Sequence, residues 1–136
     1  MDKQSYLAAM YRRKDLLTGF VGGKCRSCGT IQIPKENYCV NPECGELDSQ
    51  DDYPMSAIQG RVKTWTADRL TFDWNPPAYF GMVEFEGGGR LMMDFTEVEP
   101  GSIDTGVPVS VHFRIRQFDN QRGFRKYFWK ATPAQQ

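Results

Sequence analysis

The four cysteines of this 136-residue chain form one cluster, Cys25-Arg-Ser-Cys28 and Cys39-Val-Asn-Pro-Glu-Cys44, with ten residues between the pairs. A glycine follows each pair, at Gly29 and Gly45. Two close pairs at this separation describe a ribbon in which two turns aim four sulfurs at one tetrahedral ion. Such turns need positive φ, which glycine takes without steric cost. Four thiolates select zinc and leave no position open for water or substrate, so the metal is structural and every cysteine is withdrawn from catalysis. Two disulfides or an iron centre are the competing readings. Against disulfides, Met1-Asp-Lys-Gln leads straight into a polar amphipathic stretch instead of a signal segment, and the remaining chain does not resemble a loop-rich secreted module. The second pair is wider than the usual two-residue gap, so its turn has to bulge through Asn41-Pro42.

Charge narrows the function. Seventeen basic and seventeen acidic side chains cancel, and the sequence pI is about 6.6. Nucleic-acid binding rests on surplus positive charge, which this chain lacks overall. No apolar run reaches membrane-spanning length. Reduced, metal-ready thiols place the expected compartment in the cytoplasm.

The chain divides into three parts. Within 1–19, Tyr6, Leu7, Met10, Tyr11 and Leu17 recur at three- and four-residue spacing, predicting a helix over 3–17 stopped by Thr18-Gly19. Its apolar stripe packs either on its own domain or on another subunit. The ribbon occupies 20–50, with Ile31-Gln-Ile33-Pro34 as a short strand between the turns, and the acidic stretch Asp48–Asp52 reads as a solvated linker. From 51 to 136 the pattern is β. Strands are expected over 60–66, 79–85, 91–95, 107–116 and 123–130, with Gly87-Gly88-Gly89 as a hairpin turn. Val107, Val109, Val111, Phe113 and Ile115 alternate with polar residues, as in a half-buried strand. Five strands with a glycine inside the second suggest a small curved barrel, for which an OB-fold is the natural choice.

No nucleophile–base pair can be assembled. His112 is the sole histidine and reads as a strand-surface residue, while Asp68, Asp73, Glu84, Glu86 and Asp94 fall where solvated charges are ordinary. Two segments carry functional character. Toward the C-terminus, Arg114, Arg116, Arg122, Arg125, Lys126 and Lys130 interleave with Phe113, Phe118, Phe124, Tyr127, Phe128 and Trp129. Cations beside flat rings suit a ligand with phosphates and a purine, either RNA or coenzyme A, with Arg114, Arg116, Arg125 and Lys126 as phosphate donors. The plainer alternative is that the aromatics fill the barrel and the arginines solvate it. The other segment is Thr71-Phe72-Asp73-Trp74-Asn75-Pro76-Pro77, whose aromatics suit a protein contact.

Helix, four-cysteine ribbon and five-stranded barrel, with Pro76-Pro77 ahead of the second strand and Gly106-Val-Pro-Val-Ser-Val111 opening the fourth, resemble the acyl-CoA-associated family of rubredoxin-like zinc-ribbon plus OB-fold proteins. The resemblance spans essentially the whole chain. It departs at Cys39-x4-Cys44, where the family more often has two intervening residues. The resemblance implies a mainly β protein holding a structural zinc on Cys25, Cys28, Cys39 and Cys44. It further implies a non-catalytic accessory subunit in a hetero-oligomer with a thiolase-like catalytic subunit, as in the small subunits of two-component thiolases. Coenzyme A or an acyl-CoA would be shared with that partner. The runner-up is a nucleic-acid-binding zinc-ribbon/OB module.

Overall fold

Residues 3–71 and 75–134 are described by the structure, a computed structural model. The expected N-terminal helix comes in two pieces, α1 (Lys3–Arg12) and α2 (Lys14–Gly19), broken where Arg13 takes φ −123° and ψ 32°. On α1, Leu7, Met10 and Tyr11 are exposed, so these apolar residues do not pack on the barrel. The side chain of Tyr6 lies outside the described residues. At the end of α2, Phe20 adopts a left-handed conformation with φ 51° and ψ 47°, and its N–H donates to the Leu16 carbonyl. The strain of that backbone is offset because the Phe20 ring is fully buried. It packs against Phe85 and Trp129, with ring centroids 5.5 and 5.4 Å away. The Trp129 indole N–H in turn donates to the Leu17 carbonyl at 2.9 Å, satisfying another orphan acceptor of the helix end.

The ribbon is a three-stranded antiparallel sheet in which β1 (Val21–Cys25) lies between β2 (Ile31–Gln32) and β3 (Gln50–Pro54). The acidic stretch expected as a linker therefore has to be corrected: its second half opens β3, with Cys25 opposite Gln50 and Gly23 opposite Asp52. Asp51 and Asp52 do face solvent, but each is answered by a cation 2.7 Å away, Arg26 and Lys35 respectively. Charged side chains on a sheet edge discourage pairing with another chain, so charge alone did not separate an edge strand from a linker.

The barrel comprises β4 (Gly60–Val62), β5 (Thr66–Asp68), β6 (Ala78–Phe85), β7 (Arg90–Asp94), β8 (Pro108–Asp119) and β9 (Phe124–Pro133). The expected first strand is split into β4 and β5, both paired with β6. Between them the N–H groups of Lys63 and Thr64 both reach the Met82 carbonyl, at 2.8 and 3.4 Å, as in a bulge. Gly81 permits this approach, since a Cβ there would overlap the Thr64 carbonyl. The barrel closes where Phe95 bridges Ala131 in parallel and the Thr96 N–H donates to the Ala131 carbonyl at 2.9 Å.

β8 and β9 outrun the barrel as a long arm. Val109 and Val111 are buried, but Phe113 and Ile115 are 40% and 42% exposed, so the expected half-buried alternation holds only for the first half of β8. One hydrophobic core joins the two parts: Phe20, Ile31, Ile33 and Met55 cluster with Val62, Val83, Phe85 and Val109. The Gly87–Gly89 turn lies over Ile31. The ribbon thus covers the barrel end where Gly60, Phe85 and Val109 are in register, and the arm projects from the other end. Among the described residues, no helix is long and apolar enough to cross a membrane.

Candidate metal centre and cationic groove

The two ribbon turns are built as the glycines require. Gly29 has φ +76° and its N–H closes on the Cys25 carbonyl at 3.0 Å; Gly45 has φ +60° and closes on Asn41 at 3.0 Å. The wider second turn does bulge through Asn41, whose carbonyl also accepts from Cys44 N–H and whose side-chain oxygen accepts from Glu43 N–H at 3.1 Å. The buried Gln32 clamps the approach to this turn, donating to the Tyr38 carbonyl and accepting from Val40 N–H, both at 3.1 Å.

These turns bring the four sulfurs together. Cys25 and Cys44 Sγ are 3.8 Å apart, Cys28 and Cys39 Sγ are 3.5 Å apart, and all four lie within 4.8 Å of one another. A tetrahedron with Zn–S bonds of about 2.3 Å has edges of about 3.8 Å, so the set fits zinc closely. The acidities argue the same way. Cys28 is held down at about 6, first by the Thr30 hydroxyl 3.1 Å from its sulfur and then by the Thr30 backbone N–H. Cys25 is also lowered, chiefly by the Ser49 hydroxyl at 3.2 Å. Cys39 is raised: the Asn41 backbone N–H works against this, but desolvation and the Cys28 and Cys25 sulfurs prevail. Cys44 is pushed up to about 12, where the opposing pull of the Glu46 backbone N–H is overcome by desolvation and the other three sulfurs. Two thiols are shifted toward the thiolate and two away from it, and a cation would cancel the negative charge that the four accumulate.

At the far end of the molecule the arm frames a groove of about 880 Å³. Its lining combines Tyr79, Phe95, Ile115 and Phe118 with Arg116, Arg125, Lys130 and Asp94. Of the four cations expected to meet phosphate, the groove gathers Arg116 and Arg125. The Arg125 guanidinium lies 5.1 Å from the Phe118 ring centroid, and Arg116 pairs with Asp94 at 3.6 Å. Arg114 points to Glu97 at 3.4 Å, and Lys126 donates to Gln117 at 3.3 Å, so both flank the groove without lining it. From His112 to Lys130 the sequence carries six cations and one carboxylate, Asp119. Arg114, Arg116 and Arg122 are paired with Glu97, Asp94 and Asp119, so the neutral net charge of the chain conceals a smaller local surplus of positive charge on the arm. His112 is exposed on β8, opposite Lys130 in register, as a strand-surface residue should be. Phe72 and Trp74, expected at a protein contact, lie outside the described residues.

Residues 19–48 match the family model of the ChsH2 rubredoxin-like zinc ribbon domain, and residues 53–114 that of the ChsH2 C-terminal OB-fold domain. A DUF35 domain-containing scaffold protein of Pyrococcus furiosus is 33% identical over 117 residues, covering 83% of this chain and 82% of the relative. The chain belongs to the DUF35 family. Similar scaffold proteins of Methanocaldococcus jannaschii and Methanothermobacter thermautotrophicus are 25% and 27% identical, over 85% and 82% of this chain and 82% and 84% of theirs. Among solved structures, a chain of the "Ltp2-ChsH2(DUF35) aldolase" shares the DUF35 fold with a TM-score of 0.64 at 22% identity, over 97% of this chain and 94% of that one. The ribbon-plus-OB architecture expected from the residues is thus shown.

Sequence reasoning missed several groove residues of this DUF35 chain, among them the aromatics Tyr79 and Phe95 and two charged side chains. Lys130 was recognised as part of the basic segment but not as a companion of Arg116 and Arg125. Asp94 was read as ordinary strand charge. Both join the groove through contacts distant in sequence, Asp94 from the end of β7 and Lys130 from β9, beside the register shift between Ile115 and Gln117 in β8.

Proposed function

We propose that this chain is a non-catalytic, zinc-containing accessory subunit of a thiolase-type acyl-CoA enzyme in the cytoplasm, supporting assembly and helping to hold the CoA ester. The observation that carries this reading is the likeness, over more than four fifths of the chain, to a protein that is itself called a scaffold. A chain of the same fold occurring in an aldolase complex supports it. The cysteines are turned toward one another in the ribbon and His112 stands apart on the arm, so the reaction belongs to the partner. The exposed Leu7, Met10 and Tyr11 of α1 supply apolar anchors of the kind that dominate interfaces. Arg116 and Arg125, joined by Lys130 and flanked by Arg114 and Lys126, supply donors for the CoA phosphates, with Tyr79 and Phe118 as flat surfaces for the adenine.

Co-expression with a thiolase-type subunit from the same genome tests the reading. The two should co-elute in size exclusion, and deletion of residues 1–12 should release the partner while leaving this chain folded. Failure of the intact chain to co-elute would overturn the accessory role. Tight single-stranded RNA binding with a steep salt dependence and no response to CoA would favour the nucleic-acid module instead.

A further inference from the structure

Asp94 is the sole carboxylate lining the groove among the described residues. It ends β7, whereas Arg116 lies on β8, and these two strands are not hydrogen-bonded neighbours. Their ion pair therefore ties the arm across the mouth of the groove. We propose that Asp94 occupies the phosphate position in the free protein: it holds Arg116 until a ligand phosphate takes that guanidinium over, which unties the arm from β7. The proposal rests on the CoA reading above.

Three observations carry it. First, the tie is weak, being 3.6 Å long with side chains 61% and 43% exposed. A phosphate accepts two guanidinium hydrogen bonds and carries more negative charge than a carboxylate, so it wins the exchange. Second, the neighbouring cations are ready before Arg116 is. The Lys130 ammonium enters none of the side-chain ion pairs or hydrogen bonds among the described residues, and Arg125 rests on a ring, so an arriving phosphate settles on these two beside Arg116. Third, a phosphate held there repels the Asp94 carboxylate, so the tie does not survive binding. Asp94 thus lowers affinity while giving the arm two arrangements, tied and untied. The Arg114–Glu97 pair at 3.4 Å remains as a second tie near the base of the arm.

The test is calorimetric titration of the full-length, zinc-loaded chain with coenzyme A, with thermal unfolding of each variant as the check on folding. Asp94→Asn should tighten binding about fivefold, the worth of an exposed ion pair, and Asp94→Glu should restore the wild-type value. Arg116→Gln should weaken binding about tenfold, and in that background Asp94→Asn should gain clearly less than fivefold, because only the repulsion between carboxylate and phosphate is then relieved. Unchanged or weaker binding by Asp94→Asn, or an equal effect with and without Arg116, would overturn the exchange and leave the groove as a CoA contact. Binding that ignores Arg116→Gln, or no binding by the wild type, would remove the groove reading and the exchange together. Co-elution with the thiolase-type subunit reports separately on the accessory role.

Discussion

Gly81 has no room for a single added carbon, because a Cβ there would lie 2.8 Å from the Thr64 carbonyl carbon and closer still to its oxygen. Gly81→Ala should cost about 3 kcal/mol, the upper range for overpacking, because backbone and not a movable side chain is in the way. Gly101→Ala, where φ is +83° but nothing lies within 4 Å, should cost only about 1 kcal/mol. Urea denaturation of the pair checks this ordering. A second residue-scale outcome follows from the thiols. With Cys28 at about 6 and Cys44 at about 12, the metal-free ribbon at pH 7 already holds Cys28 largely as thiolate. Zinc uptake should therefore release fewer than four protons at pH 7 and approach four at pH 5. Because the proton competes with the metal for the same sulfurs, affinity should fall as pH falls. Titrating zinc in buffers of different ionisation enthalpy measures the count; release of four protons at pH 7 would mean that the metal-free ribbon does not keep this arrangement.

Helix α2 is held at its C-terminal end by two devices remote from each other in sequence, the left-handed Phe20 and the Trp129 indole. Trp129→Phe keeps an aromatic ring beside Phe20 and Phe113 but removes the bond to Leu17, so it should cost about 1 kcal/mol. Hydrogen exchange should then quicken over residues 14–20 and remain unchanged in the ribbon turns. A uniform change throughout the chain would mean that the indole braces the fold generally. The arm shows why alternation is an incomplete guide to an element. A period of two says that β8 has two faces, and Val109 and Val111 do go inside. It does not say where the strand leaves the barrel, because the partners that bury Phe113 or leave it exposed belong to other strands.

Ribbon and barrel share one core, in which Ile31 and Ile33 from beside the metal turns meet Val83 and Phe85 of β6. Removing the metal should therefore lower the thermal stability of the whole chain in one cooperative transition, instead of melting the ribbon and leaving a stable barrel. Calorimetry with and without a strong chelator distinguishes the two, and a persistent second transition at the original temperature would show that the parts are energetically separate. At this scale charge also takes a different meaning. Neutrality overall disfavours wrapping by nucleic acid, yet the segment from His112 to Lys130 carries six cations, of which three are paired with Glu97, Asp94 and Asp119, leaving a local positive surplus on the arm.

Local chemistry was legible from the chain alone. Cysteine spacing and the following glycines prescribed the two turns, since few residues accept that backbone, and Asn41-Pro42 marked the bulge. Strand periodicity and the central glycine of β6 prescribed a curved five-stranded barrel. What the sequence could not decide were properties of contacts between distant segments. The Asp48–Asp52 stretch entered an edge strand because β1 offered a partner and Arg26 and Lys35 answered its carboxylates. The first barrel strand broke because Met82 drew in two N–H groups. Arg116, Arg125, Lys130 and Asp94 met in one groove because β7, β8 and β9, distant in sequence, come together there. Local propensity acts through neighbours along the chain, whereas burial, register and the company a charge keeps depend on which strands the fold brings alongside.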